Sequence, residues 1–276
     1  MYSPKYAPHE GQQKIHESTK RLIFVHAGQR FGKDRWGVNE VIHQVSEMLD
    51  EARPDHLVPR VHAWIVAPTI GLCKQLWREL VFFMPKEKVV KLDEHEMTMY
   101  TVKGGVIEVK SATKNLFSTG LDIVYWSEME HMNENTIEPV YANVFTRIDS
   151  PGRGPNGKGG ICLVSGTPRE PQIAEDGTIK KGFFQRLYEH IKDDPEWDVF
   201  GLRTLDNPYI SPEFEGKARE YLGEDAFRCE WLGEFIDKPS QTKVFLKLAP
   251  DAENLADLIA QRVVDLLKVK VSQSQE

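Results

Sequence analysis

The stretch from Arg21 to Leu49 constrains this chain more than any other. Arg21–Ala27 (RLIFVHA) has the length and apolar character of a buried strand, and Lys33–Leu49 carries apolar residues at helical spacing. Between them runs Ala27-Gly28-Gln29-Arg30-Phe31-Gly32-Lys33-Asp34. A strand, a tight glycine-bearing turn, a lysine and a helix start are the mechanical parts of a phosphate cradle. Backbone N–H groups and the helix dipole face the anion, and the lysine reaches its outer oxygens. Gly28, Gln29, Arg30, Phe31, Gly32, Lys33 and Asp34 are therefore the candidate phosphate-binding residues. Ala27 stands where a first glycine is usual, and Asp34 where Ser or Thr is usual. A plain strand–helix turn stays open as the alternative.

Further strands and helices alternate downstream. His62–Ala67 reads as a second strand followed by a helix over Gly71–Phe83; Leu121–Trp126 and Gly160–Ser165 read as a third and a fourth strand. Met97–Val102 and Gly105–Lys110 alternate around Lys103-Gly104 as a hairpin should. This alternation predicts an α/β fold with a central, mostly parallel sheet flanked by helices. Ser150–Gly160 holds five glycines and two prolines in eleven residues and predicts a mobile exposed loop. Short helices over Phe183–Ile191, Pro212–Tyr221 and Asp225–Leu232, around an extended Val199–Thr204, suggest a small lid or linker subdomain. The expected organisation is a core over 1–175, a lid over 176–236 and a tail over 237–276.

The strand Leu121–Trp126 ends in Ser127-Glu128. In a nucleotide hydrolase that strand end carries a carboxylate for the magnesium shell and then a glutamate that polarises the attacking water. Glu128 stands at the position of the base, and Ser127 replaces the carboxylate. Asp34 and Ser127 thus depart in opposite senses at two positions that converge on one magnesium ion in such a fold. Either the carboxylate and the hydroxyl have exchanged carriers, preserving hard oxygen ligands, or the site has decayed.

These motifs, taken in order, resemble the ATPase domain of the large terminase subunit of tailed bacteriophages, over about Pro8 to Phe235. Pro8-His9-Glu10-Gly11-Gln12 is similar to that family's adenine-reading segment, Gly28–Lys33 to its phosphate loop, and Trp64–Thr69 with Gln75–Glu79 to its second strand and helix. Gly120–Met132 is similar to its carboxylate strand and Ser165-Gly166-Thr167-Pro168 to its coupling motif. Asn207-Pro208-Tyr209 and Glu230–Phe235 are similar to the end of its linker. The resemblance implies a P-loop NTPase of RecA-like type that binds ATP and Mg2+. Gln12 would read the base, Lys33 would hold the outer phosphates, and Asp34 and Ser127 would hold magnesium. Glu128 would orient water, and Thr167 would sense the γ-phosphate. Taken singly, Gln12 also reads as an exposed polar residue, Ser165–Pro168 as a loop, and Trp64 and Trp77 as core. Gln29-Arg30 replaces a paired arginine, and Thr119 stands where the family shows another. A finger supplied by a neighbouring subunit is then expected, with Arg147 the candidate and an exposed salt-bridging arginine the alternative.

The resemblance further implies a motor that moves double-stranded DNA into a procapsid in the host cytoplasm. Its partners would be a portal protein, a small terminase subunit and copies of itself in a ring, expected to be a pentamer. Thirty-five Lys+Arg against 42 Asp+Glu, a net charge of −7, excludes coating nucleic acid by bulk charge. DNA contact is therefore expected from local basics: Arg153, Lys158, Lys180 and Lys181. The polar N-terminus is no signal peptide, and no apolar run approaches the ~20 residues of a membrane span. Cys73, Cys162 and Cys229 form no CxxC pair, which excludes a disulfide framework. The 41 residues after Phe235 are too few for the nuclease domain large terminases carry, so a separate nuclease chain is a possible partner. Their Leu255, Leu258, Ile259, Val263, Leu266 and Leu267 fit one helix face, either docking a partner or packing on the chain itself. A helicase-like DNA-dependent ATPase and a non-hydrolysing ATP-binding assembly factor are the rival readings.

Overall fold

The computed structural model describes residues 3–112, 116, 120–174 and 176–239. By internal packing the chain divides into two units, Met1–Glu170 with Lys181–Ile236, and Pro171–Lys180 with Asp237–Glu276. In the first, α1 (Glu10–His16) and β1 (Leu22–Ala27) lead to α2 (Lys33–Asp50), β2 (Val61–Ala67) and α3 (Ile70–Phe83). Then come β3 (Val89–Asp93), β4 (Thr98–Thr101), β5 (Gly105–Ser111), β6 (Ile123–Trp126), α4 (Ile137–Ile148) and β7 (Ile161–Gly166). The second unit contributes the small antiparallel hairpin β8 (Gln172–Ile173) and β9 (Ile179–Lys180). The first resumes with α5 (Phe183–Ile191), β10 (Trp197–Leu202), α6 (Phe214–Leu222) and α7 (Glu224–Glu230).

Eight strands form one sheet in the order β10-β1-β7-β6-β2-β5-β4-β3. The first six run parallel, and β4 and β3 add antiparallel at one edge. Residues of two-residue period sort onto the two faces, as strands buried on both sides require. Ile23, Val25, Ala63, Ile65, Ile123 and Tyr125 join Trp36, Val41, Ile42 and Leu80 of α2 and α3. Leu22, Phe24, Trp64, Val66, Val124 and Trp126 join Val140, Val144, Phe184 and Leu187 of α4 and α5. Trp64 and Trp77 are core residues, 2% and 4% exposed.

Two expectations are corrected. The extended stretch assigned to a lid is β10, which pairs parallel with β1 from Leu22↔Trp197 to Ala27↔Leu202 and so belongs to the main sheet. The glycine-rich segment is pinned rather than loose: Asp122, fully buried, accepts from Gly154 N (2.7 Å), His62 N (2.8 Å) and Arg153 Nη1 (2.9 Å) and also pairs with Arg53. A buried carboxylate must be matched by donors, and the loop wraps around this one to supply them. Arg153, 5% exposed, is therefore a structural ion-pair partner and is unavailable to DNA. Thr119 and the tail beyond residue 239 lie outside the described residues. No helix among the described residues is long and apolar enough to cross a membrane.

Candidate nucleotide site

Because β1, β7 and β6 run parallel and adjacent, the residues after their C-terminal ends meet at one edge of the sheet. After β1 the chain turns through Arg30 (φ 59°) and Gly32 (φ 100°), and Gly32 caps α2. Lys33, 5% exposed, curls back over this turn. Its Nζ donates to Ala27 O (3.2 Å), Gly28 O (3.3 Å) and, across to β7, Thr167 Oγ1 (2.7 Å). From the first turn of α2, Asp34 accepts a 2.6 Å hydrogen bond through Oδ1 from Ser127 Oγ, which follows β6. Glu128 comes next with φ 50° and ψ 49°, a left-handed conformation that a glutamate adopts only under constraint.

Two adjoining clefts share Arg30, Lys33 and Glu128. One, about 280 Å³, is closed by Thr167, Arg169, Glu130 and His131. The other, about 310 Å³, extends past Asp34 to Gln12, Glu79 and Tyr209. Burial and the charge of Asp34 push the Glu128 carboxyl above its ordinary range, with Lys33 and Arg169 opposing. Glu130 is more strongly affected: it is buried, neither oxygen makes a hydrogen bond among the described residues, and burial pushes it up to about 7 despite Lys33. Arg169 Nη2 donates to the His131 ring, 2.6 Å from Nε2, and that nitrogen lies 3.5 Å from Glu128 Oε2. Burial and the two cations hold His131 below its ordinary value.

Several expected residues take positions of their own. Gln12 is 3% exposed, not a surface residue; its Nε2 donates to Gly32 O (2.9 Å), and its Oε1 accepts from His9 N (3.2 Å). Phe31 is a core residue stacked edge-on against His9. Gln29 lines the first cleft beside Glu230, its Nε2 donating to Glu230 Oε2 at 2.6 Å. Arg147 ends α4 at the opposite edge of the sheet, where its carbonyl accepts from Leu121 N ahead of β6. No ion pair forms on it among the described residues, and its Nε is buried without a hydrogen bond. Lys181 pairs with Glu189 at 2.6 Å, whereas Lys158 and Lys180 are exposed.

The back of the phosphate loop is fastened by main chain. Gly28 N donates to Leu202 O, Gln29 N to Glu230 O, Thr204 Oγ1 to Gln29 O and Asn207 Nδ2 to Arg30 O, all within 3.0 Å. A Cβ on Gly28 would stand 2.3 Å from Trp231 O, so this approach admits glycine alone.

The donor chemistry fits a hard divalent cation. A carboxylate and a hydroxyl touch at Asp34 and Ser127, and the buried Glu79 Oε2, which makes no hydrogen bond, belongs to a carboxyl pushed up by burial and by Asp34. Carboxylate and hydroxyl oxygens are what magnesium prefers. Sequence reasoning did not find Arg169, Glu130, His131 or Glu79 as site residues. Arg169 carried one signal, a cation two positions after the hydroxyl of Thr167; Glu130 and His131 follow Glu128 in one short turn, and Glu79 is brought in by the packing of α3.

No protein-family model matches the chain, and no curated protein matches it. Solved structures do. The ATPase domain of the Thermus phage P74-26 large terminase aligns with a TM-score of 0.58 at 19% identity, covering 84% of this chain and 95% of that one. The HK97 bacteriophage large terminase gives 0.60 at 12% identity, over 83% of this chain and 51% of that one. A large terminase from a thermophilic bacteriophage, solved with ATP-gamma-S, gives 0.55 at 15% identity, over 86% and 53%. The chain thus spans about half the length of the last two and nearly all of the isolated ATPase domain. Its fold is that of phage large terminase ATPase domains, a P-loop fold with a mostly parallel sheet.

Proposed function

We propose that this chain is an ATPase of the DNA-packaging type, whose turnover drives movement of double-stranded DNA into a procapsid. The observation that carries the reading is the meeting of Asp34 and Ser127 at 2.6 Å beside Glu128, at the sheet edge where Lys33 spans the phosphate loop and Thr167. A decayed site has no reason to keep a carboxylate and a hydroxyl in contact there. The likeness in fold to large terminases, one of them bound to ATP-gamma-S, supports the nucleotide and the class of motor.

The residues divide the work as follows. Backbone amides of Arg30, Gly32 and Lys33 at the N-terminus of α2 receive the phosphates, those of Gly28 and Gln29 being bound to Leu202 O and Glu230 O, and Lys33 leaves its carbonyl and Thr167 contacts for the β and γ oxygens. Glu128 accepts a proton from the water that attacks the γ-phosphorus. Burial and the charge of Asp34 raise its proton affinity, which suits a base. Asp34 and Ser127 would hold magnesium, which when bound neutralises charge on the phosphate oxygens. Thr167 registers loss of the γ-phosphate through Lys33, and Gln12 and Tyr209 border the space for the base. Ring copies of this chain, a portal protein and a small terminase subunit complete the proposed assembly, with Lys158 and Lys180 as the exposed basics for DNA.

A steady-state ATPase assay with and without linear duplex DNA tests this. The wild type should turn over ATP and be stimulated by DNA. Glu128→Gln should retain ATP binding and lose ~100-fold or more in kcat. Binding without turnover in the wild type would favour an assembly factor instead.

A further inference from the structure

The phosphate loop before Lys33 offers one cation, Arg30; position 29 is Gln, and its amide is tied to Glu230 at 2.6 Å. Phosphoryl transfer develops charge on the γ oxygens that an arginine must meet. Arg147 lies at the far edge of its own sheet and could act only in a neighbour's site. A different guanidinium already sits in the cleft. Arg169 follows the Thr167-Pro168 turn, lines the same wall as Lys33, Glu128 and Thr167, and is exposed, so that its side chain is free to swing.

We propose that Arg169 is a catalytic residue supplied by the subunit's own chain, the arginine that stabilises the γ-phosphoryl group during hydrolysis. This rests on reading the site as an ATPase. The guanidinium lies on His131, whose Nε2 is between Arg169 Nη2 (2.6 Å) and Glu128 Oε2 (3.5 Å). That position holds the cation one side chain away from the base. A γ-phosphate is a better acceptor than a neutral imidazole, because its charged oxygens can take the guanidinium in a bidentate fork that a single ring nitrogen cannot offer. Binding of ATP therefore draws Arg169 off His131 and onto the γ oxygens. Water oxygen then bonds to the γ-phosphorus and its proton passes to Glu128. The bond to the β–γ bridging oxygen breaks, and ADP leaves with that electron pair. Since Arg169 is two residues from Thr167, departure of phosphate releases both groups together.

The test compares kcat, KM and concentration dependence in the full chain. Arg169→Ala should lower kcat by 10²-fold or more, leave the Kd for a fluorescent ATP analogue within about threefold, and recover part of kcat on addition of free guanidinium ion. A merely structural arginine would not respond to guanidinium. Arg169→Lys should be intermediate. Wild-type specific activity should stay constant as protein is diluted through the range where oligomers dissociate. The proposal is overturned if Arg169→Ala keeps kcat within twofold, or if specific activity falls on dilution and Arg147→Ala reproduces the loss. Failure of the ATPase reading itself looks different: wild type and Glu128→Gln would then be equally inactive.

Discussion

At the scale of single residues, the pair Asp34 and Ser127 makes the sharpest claim. Each is unusual for its position, and the 2.6 Å hydrogen bond between them makes one departure the complement of the other. Asp34→Thr alone leaves two hydroxyls and no carboxylate; Ser127→Asp alone sets two carboxylates in contact. Each should cut kcat/KM for ATP by ~100-fold, whereas the double variant should return to within about tenfold of wild type. That corresponds to a coupling well above 1.4 kcal/mol, the energy of one tenfold step. Additive losses in the double-mutant cycle would show that the residues act separately. This pair was legible in the sequence because each member sits directly after a strand or turn that periodicity marks. Arg169 and Glu79 were not, because they lie on different elements from Glu128 and packing makes them its neighbours, and His131, three residues after Glu128, is brought to it by a turn that periodicity does not mark.

At the scale of elements, continuous apolar runs gave away the strands buried on both faces, such as β2 and β6. β10 escaped because an edge strand, Trp197–Leu202, is only half covered and alternates with Asp198 and Gly201. The glycine-rich segment shows the limit of composition as a guide. Its glycines suggest freedom, yet one buried carboxylate before β6 organises it, and nothing about Asp122 in an apolar run reveals how many donors it gathers. Asp122→Ala would strand the buried guanidiniums of Arg53 and Arg153. The expected cost is about 3–5 kcal/mol, measured by urea denaturation, with new protease cleavage inside 150–160. A loss below about 1 kcal/mol and an uncut loop would mean the segment is held by other means.

At the scale of the whole molecule, one buried acid should govern how stability varies with pH. Glu130 titrates near 7 in the folded chain against an ordinary 4.5. Its folded-state affinity for the proton is raised, so the stability it contributes is complete below about pH 4.5 and is lost as pH rises through 7. Glu130→Gln should therefore match wild type at pH 4, gain progressively between 4.5 and 7, and level off above. The plateau gain is on the order of 3 kcal/mol, read from chemical denaturation at each pH. A difference that does not change with pH would place the cost elsewhere. The fastening of the phosphate loop has a consequence of another kind. Leu202 O, Glu230 O and Trp231 O meet the loop through main chain, and Asn207 grips a carbonyl at Arg30. Such contacts ask for glycine at position 28 and hold the main chain at positions 29 and 30, where Gln29 adds an amide bond to Glu230 and Arg30 keeps a left-handed φ of 59°. Movement at the end of β10 or of α7 would therefore be felt at the phosphate loop through its backbone, without passing through a side chain of the cleft.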